Sequence, residues 1–134
     1  MKIRDLKVRV LKLDGSWRGM RMGTIPDMTR TQFIPVGASE EAYPAFTTLL
    51  RVITDEDIEG VYFGPGGTRE AAEYFARFTV QSWKHELVSE DPLDRAYLFE
   101  KLRSSIRFHT PGTEALPVID VALWDLAGKY ARMP

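Results

Sequence analysis

The chain of 134 residues has no cysteine, only two histidines and no long apolar run. The absence of cysteine excludes disulfides and thiolate chemistry and leaves the redox compartment open. No segment is long and apolar enough to span a bilayer. The N-terminus, MKIRDLKVRVLKL, alternates charged and apolar residues, which is not the pattern of a signal peptide. We therefore expect a soluble cytoplasmic domain.

Neither sign of charge dominates, since 18 basic residues stand against 19 acidic ones and the formal net charge is −1. Such a balance gives no electrostatic reason to expect nucleic acid or an anionic membrane as a partner. Hydrophobic residues make up 44% of the chain and aromatic residues 11%, which is enough to build one core. We expect a single domain over residues 1–134.

The first part of the chain has the pattern of a β-sheet. Residues 3–13 alternate apolar and charged side chains, as a half-buried strand requires. Residues 47–54 are rich in β-branched and aliphatic residues, and a third strand over 58–63 follows an acidic turn to complete a hairpin. The run Gly64-Pro65-Gly66-Gly67 then ends this part of the chain.

Helices are predicted beyond this break. Thr68 is the expected N-cap of the first helix, and Asp91-Pro92 supplies a cap and an N1 proline for the second. Their apolar faces consist of Ala71, Tyr74, Phe75 and Phe78 in the first helix and of Leu98, Phe99, Leu102 and Ile106 in the second. Strands followed by helices predict an α+β fold, a three-stranded antiparallel meander followed by a bundle of three or four helices.

The last helix has the clearest periodicity. Asp125 and Lys129, spaced i, i+4 with the acid first, are expected to pair on one side of it. Its apolar stripe, on the opposite side, consists of Leu116, Ile119, Leu123, Leu126, Ala127, Tyr130 and Met133.

Residues 14–46 show no convincing periodic element, which in a compact domain indicates a functional lid or a disordered segment. Disorder would predict few aromatic residues, whereas this stretch carries Trp17, Phe33, Tyr43 and Phe46 together with Met20, Met22 and Met28. We expect it to pack on a surface. Its arginines, Arg18, Arg21 and Arg30, could meet an anion.

Other polar clusters favour structural roles. His85 and His109 lack a second ligand at metal spacing. The acids around residues 55–59 could form a cation site, but the calcium-loop spacing is absent and a solvated turn is favoured. Residues 64–68 lack the Gly-Lys-Ser/Thr of a phosphate loop. We predict no catalytic residue and no metal ligand in this chain.

Three segments carry a family resemblance: TDEDIEG, SEDPLDRAYLFEKL and the final VIDVALWDLAGKYARMP. In this order, and with the opening strand, they resemble the N-terminal capping domain of the mandelate racemase and muconate-lactonizing branch of the enolase superfamily. The resemblance covers essentially the whole chain. Two departures stand out, Asp57 where the family often has glycine and Phe63 to Gly67 where it often has Gly-Glu.

The resemblance implies an enzyme that removes a proton α to a substrate carboxylate while Mg²⁺ stabilises the enediolate. In the family, a C-terminal (β/α)-barrel holds the metal and the base, and two loops of the capping domain close over the substrate. Here these loops would be residues 14–46 and roughly 62–68. The residues expected near substrate are Trp17, Arg18, Met20, Arg21, Met22 and Tyr62. The arginines could instead face solvent, the barrel or a neighbouring subunit.

The sequence therefore predicts the capping and substrate-specificity domain of a mandelate racemase-like enzyme, with the barrel domain absent from these residues. The intact enzyme would be a Mg²⁺-dependent lyase that dehydrates a sugar acid, or an isomerase that performs racemization or cycloisomerization. The 134 residues are expected to bind no cofactor, to be inactive alone, and to form a homo-oligomer. The alternative is a free-standing binding or interaction module with the same fold and no chemistry.

Overall fold

The computed structural model describes residues 1–17, 43–64, 67–106 and 112–133. A three-stranded antiparallel sheet with the order β1-β2-β3 precedes three helices in this part of the chain. The strands are β1 (Ile3–Trp17), β2 (Tyr43–Thr54) and β3 (Glu59–Phe63), and the helices are α1 (Arg69–Leu87), α2 (Arg95–Ile106) and α3 (Gly112–Ala131). The predicted α+β architecture is confirmed.

The first two strands are longer than the alternation of the sequence predicts. The ladder between β1 and β2 continues to the pairs Ser16↔Pro44 and Trp17↔Tyr43 after a register shift beyond Lys12. Such an irregularity disrupts the two-residue period on which a strand prediction depends. Both ends of the predicted loop over residues 14–46 are therefore strand, and its interior, residues 18–42, lies outside the described residues.

The helices pack on one face of the sheet. On β1 and β2, Leu6 and Leu50 are buried beneath the helices, whereas Lys7 and Arg51 lie on the other face. The helices add their own buried residues, which are Ala72, Phe75, Thr79, Trp83 and Leu87 from α1, Leu98 and Leu102 from α2, and Ala115, Leu116, Val118, Ile119, Ala122, Leu123 and Leu126 from α3.

The N-terminus of α1 is as predicted, but its buried face is rotated. Thr68 is the N-cap, and its Oγ1 accepts a hydrogen bond from the Ala71 N–H at 3.3 Å. Phe75 is buried as expected, whereas Ala71 and Tyr74 are exposed. The buried line that begins at Ala72 and Phe75 continues through Thr79, Trp83 and Leu87. A prediction based on the first half of the helix does not include these later positions.

The second helix begins later than the Asp-Pro pair indicates. Asp91 Oδ1 accepts the Leu93 N–H at 2.9 Å, and the Asp91 carbonyl accepts the Asp94 N–H at 3.1 Å, which closes a turn instead of capping a helix. The helical ladder starts where the Asp94 carbonyl accepts the Leu98 N–H at 3.0 Å. The prediction that Asp91 and Pro92 begin the helix was wrong, because the aspartate side chain bonds its own turn.

The third helix approaches β3 unusually closely at Gly60. A Cβ at this position would lie 2.0 Å from the Ala122 carbonyl oxygen and 2.9 Å from Leu126 Cβ. Only a residue without a side chain allows this distance between the strand and the helix. Gly60 therefore sets how deeply α3 packs on the sheet.

We expect Gly60→Ala to destabilise the fold by about 1–3 kcal/mol, the typical cost of overpacking. The matched control is Gly128→Ala, where the nearest atom to the new Cβ would be the Met133 carbonyl oxygen at 3.4 Å. That substitution should stabilise the helix by about 0.5–1 kcal/mol, because alanine replaces glycine in a helix. Urea denaturation of both variants measures the change in the free energy of unfolding, which should fall for Gly60→Ala and rise for Gly128→Ala. Equal changes in the two variants would contradict this role of Gly60.

The C-terminus of α3 ends on a residue in a left-handed conformation. Arg132 has φ +53°, its N–H donates to the Lys129 carbonyl at 3.1 Å, and the Met133 N–H donates to the Gly128 carbonyl at 2.9 Å. This is the hydrogen-bond pattern of a Schellman motif, in which glycine is favoured at the left-handed position. A side chain in this conformation costs roughly 1–2 kcal/mol.

Replacing Arg132 by glycine should therefore raise the free energy of unfolding by about 1 kcal/mol. Arg132→Ala removes the same side chain but keeps a Cβ in the left-handed region, so it should leave stability nearly unchanged. Chemical denaturation of the two variants separates the backbone effect from the loss of charge. Identical stabilities for glycine and alanine would rule the backbone effect out.

Candidate functional site

Only two of the six residues predicted near substrate lie in the described part of the chain. Trp17 is the last residue of β1 and pairs with Tyr43, whereas Tyr62 lies near the end of β3 and pairs with Leu50. The Tyr62 side chain is 37% exposed. The remaining four, Arg18, Met20, Arg21 and Met22, lie outside the described residues.

The sheet topology directs the two predicted capping loops towards the same end of the sheet. Both β1 and β3 run antiparallel to β2, so their C-terminal ends point the same way. Trp17 and Tyr62 are nevertheless not ladder neighbours. Their partners on β2, Tyr43 and Leu50, are seven residues apart, at most about 23 Å of strand. The two strands thus run towards the same end of the sheet, but Trp17 and Tyr62 lie far apart along it.

The segment after β3 is anchored to β2 at both described ends. The Gly64 N–H donates to the Thr48 carbonyl at 2.7 Å, and Thr47 Oγ1 donates to the Gly64 carbonyl at 3.1 Å. Phe46 and Gly67 exchange two backbone hydrogen bonds of 3.0 and 2.9 Å. A Cβ on Gly64 would lie 2.3 Å from Thr48 Oγ1. These glycines thus serve close packing and the entry into α1, the structural role that the sequence favours for them.

The acidic turn between β2 and β3 holds the start of the chain. Asp55 Oδ1 accepts the Lys2 N–H at 2.7 Å, and Glu56 Oε1 lies 3.1 Å from the Met1 ammonium. Glu59 forms a bidentate pair with Arg51 across the strands, with distances of 2.6 to 2.8 Å. Three of the clustered acids thus have partners within the fold.

Asp57 occupies the tight part of this turn with φ +58°. Glycine adopts such a conformation freely, and aspartate is one of the few other residues that visit it. Asp57, where the family often has glycine, therefore keeps the turn and adds some backbone strain.

No group of three or more histidine, aspartate or glutamate side chains within the described ranges is arranged to hold a metal ion. His85 is a surface residue, and its Nε2 lies 3.2 Å from Glu86 Oε1. His109 lies outside the described residues. No helix in the described part of the chain has the length and apolarity needed to cross a membrane.

Asp125 has a role that sequence reasoning missed. Its predicted pair with Lys129 is confirmed at 2.5 Å, but the pair does not simply face solvent. Asp125 Oδ2 accepts the Val61 N–H at 2.8 Å, and Lys129 Nζ donates to the Glu59 carbonyl at 2.9 Å. The two side chains satisfy backbone groups on the outer edge of β3. An edge strand has backbone groups that need hydrogen-bond partners, and this need is the signal that could have suggested the role of Asp125.

The ion pair at the start of the chain predicts a pH dependence. The neighbouring Glu56 carboxylate raises the pKa of the Met1 ammonium above its usual 8.0. A pKa raised in the folded state stabilises the fold below about pH 8, and this contribution is lost as the pH rises through the folded pKa. Glu56→Gln should therefore lower the melting temperature at pH 7 but have a smaller effect at higher pH.

Melting curves of both proteins between pH 6 and pH 10 check this expectation. Glu100→Gln is the control, because Glu100 pairs with Arg103 on the exposed side of α2. The Arg103 guanidinium stays charged throughout this pH range. Its effect should not vary with pH. A constant difference between wild type and Glu56→Gln up to pH 10 would show that the ammonium is not the partner that matters.

The geometry can be compared with known proteins. No family model and no curated protein matches the chain. Solved structures do match. A mandelate racemase-like protein of Bordetella bronchiseptica RB50, in complex with 2-oxoglutarate and phosphate, is 25% identical, with a TM-score of 0.71 over 97% of this chain and 29% of its own.

Two further structures agree. An enolase with bound Mg from the alphaproteobacterium BAL199 is 21% identical, with a TM-score of 0.71 over 99% of this chain and 32% of its own. A mandelate racemase/muconate lactonizing enzyme is 20% identical, with a TM-score of 0.69 over 99% of this chain and 33% of its own.

The chain thus has the fold of a part of these enzymes and spans about a third of their length. This confirms the resemblance to the mandelate racemase and muconate-lactonizing branch of the enolase superfamily, and it is consistent with the N-terminal capping domain.

Proposed function

We propose that this chain is the capping and substrate-specificity domain of a mandelate racemase-like enzyme. The observation that carries the proposal is the fold match over 97–99% of this chain but only 29–33% of the similar enzymes. A self-contained α+β unit within a protein three times as long acts together with the rest of that protein. The proposal therefore includes a barrel domain as its partner.

The end of the sheet towards which β1 and β3 run is the proposed substrate side. Arg18 and Arg21 follow β1 directly, and their forked guanidinium donors suit a carboxylate. Trp17, Met20 and Met22 supply apolar surface, and the partly exposed Tyr62 approaches from the end of β3. Their role is to bind and orient an organic acid and to exclude water from it.

The proposed reaction of the intact enzyme begins with removal of a proton α to the substrate carboxylate. Dehydration of a sugar acid is the favoured outcome, and racemization or cycloisomerization are the alternatives. The described residues do not fit a Mg²⁺ site, so the proposal assigns both the metal and the general base to the barrel. This chain contributes binding and specificity, and the assembly is proposed to be a homo-oligomer.

The test begins with the coding sequence beyond Pro134. A continuation into alternating strands and helices supports the enzyme, whereas an immediate stop codon supports the free-standing binding module. The intact protein is then screened against organic acids with and without Mg²⁺. The 134-residue chain alone should turn over none of them.

In the intact enzyme, Arg18→Ala and Arg21→Ala should each lower kcat/KM by roughly 1.5–3 kcal/mol, the usual value of a hydrogen bond between charged groups. Arg103→Ala is the control, because Arg103 lies on the exposed side of α2. Among the described residues, it pairs only with the nearby Glu100. It should leave the kinetics unchanged. If both loop variants also leave them unchanged, the two arginines are ordinary surface residues and the site assignment is wrong.

A further inference from the structure

The two edges of the sheet differ in how they are covered. Along β3, Asp125 and Lys129 of α3 bond the backbone of the outer edge. The opposite edge is β1, whose only ladder among the described residues is the one with β2. Edge strands are usually short, interrupted or covered, because a long open edge invites further strands. At 15 residues, β1 is the longest strand of this sheet, so its outer edge is a place where a further strand fits.

The hydrogen bonds of β2 identify which backbone groups line this edge. The Gly64 N–H donates to the Thr48 carbonyl at 2.7 Å, so the even-numbered residues of β2 bond β3. Successive residues of an antiparallel strand bond to opposite sides. The odd-numbered residues of β2 therefore bond their partners on β1, which are Asp5, Lys7, Arg9 and Leu11. The N–H and carbonyl groups of Val8 and Val10, which lie between these partners, point to the open edge.

The open part of the edge begins after Leu6. The Ile3 N–H donates to the Glu90 carbonyl at 2.9 Å, and the Ser89 N–H donates to the Ile3 carbonyl at 2.8 Å. The Leu6 N–H donates to Asp5 Oδ1 at 2.8 Å. From residue 7 to residue 12, every backbone hydrogen bond of β1 to another described residue belongs to the ladder with β2.

Charge along this part of β1 is almost entirely of one sign. Residues 3–12 contain four basic residues and one acidic residue, whereas the formal net charge of the whole chain is −1. The acidic residue, Asp5, is already paired with Lys84 Nζ of α1 at 2.6 Å. Lys7 and Arg9 are exposed, and they lie two residues apart on the face of the sheet away from the helices. A further strand therefore meets two adjacent cations beside an open row of backbone groups.

We propose that the outer edge of β1 over residues 7–10, which we call the β1 edge site, binds an acidic extended segment of a partner protein. The segment adds to the sheet as a fourth strand. Val8 and Val10 provide the main-chain hydrogen bonds by which such strand addition gains affinity. Lys7 and Arg9 select carboxylates at alternate positions of the segment, because side chains directly opposite each other on one face of a sheet interact.

The same charges argue against other occupants. If two copies of β1 paired antiparallel around Val8, Lys7 of each copy would lie opposite Arg9 of the other, and like charges directly opposite are destabilising. A nucleic acid satisfies the cations, but its phosphates only accept hydrogen bonds and leave the carbonyls of Val8 and Val10 without donors. An acidic peptide supplies both the carboxylates and the backbone donors.

The test uses two fluorescently labelled peptides that alternate threonine with a charged residue, glutamate in one and lysine in the other. The glutamate peptide should bind the 134-residue chain at least about tenfold more tightly in an anisotropy titration, because it is complementary in charge. Bound peptide should slow hydrogen exchange of the Val8 and Val10 amides about tenfold and leave the Val61 amide, on the opposite edge, unchanged. Equal binding of the two peptides, or binding without protection of Val8 and Val10, overturns the proposal.

A pair of double variants isolates the contribution of the two cations. Lys7→Glu with Arg9→Glu should weaken binding of the glutamate peptide at least about tenfold. Arg77→Glu with Arg103→Glu is the matched control, because it changes the net charge by the same amount at exposed positions on α1 and α2. Since salt screens distant charges, the control should keep the affinity within about twofold of the wild type. An equal loss in the two double variants would mean that only the overall charge matters, and the proposal would be wrong.

Val10→Pro tests the backbone. Proline is tolerated on an edge strand where its N–H would face solvent, so the ladder with β2 is kept while one donor of the β1 edge site is removed. Loss of one hydrogen bond should weaken peptide binding about threefold to tenfold. Circular dichroism checks that the variant folds, and if it does not, the exchange measurement on the wild type decides the same point. A folded variant with unchanged affinity contradicts the proposal.

Three further results would overturn the proposal, because each identifies another occupant. A dimer in sedimentation experiments that protects the Val8 and Val10 amides makes the occupant a second copy of the chain. Protection of both amides in the monomer without peptide means that another part of the chain already pairs with the edge. Single-stranded DNA that displaces the glutamate peptide at equal concentration shows a general site for polyanions.

Discussion

The close contact between α3 and β3 is the constraint on which the rest of the domain depends. Gly60 lets the Ala122 carbonyl approach the strand, and Asp125 accepts the Val61 N–H on the outer edge of β3. Lys129 completes this arrangement by donating to the Glu59 carbonyl. An edge strand otherwise presents unpaired backbone groups, which are costly to bury and prone to pair with other chains. The helix thus satisfies the edge of the sheet and also packs on its buried face.

This arrangement also determines where the domain can act. With α3 fixed on β3 and α1 packed on β1, both proposed capping segments leave their strands in the same direction, although β1 ends opposite Tyr43 and β3 ends opposite Leu49. The hydrogen bonds of Gly64 and Gly67 to β2 fix the start of the second segment. In the proposed function, this chain positions residues for binding, and the barrel provides the metal and the base.

Several features could be predicted because they depend on residues close in the sequence. Thr68 caps α1 through a residue three positions ahead, and Asp125 pairs with Lys129 one turn away. Strands followed by helices identified the α+β class for the same reason. Other features escaped prediction. The register shift beyond Lys12 disguised the last part of β1, and the Asp91 side chain bonds its own turn instead of capping α2.

The sequence by itself determined the elements, their order and the resemblance to enolase-type capping domains, because periodicity, capping and motif spacing are local properties. Only the tertiary structure decided that Asp125 serves the edge of β3, that Gly60 admits α3, and that Trp124 and Tyr130 remain exposed. Each of these depends on which surface lies opposite a residue. That surface is formed by parts of the chain distant in sequence, and no local pattern specifies it.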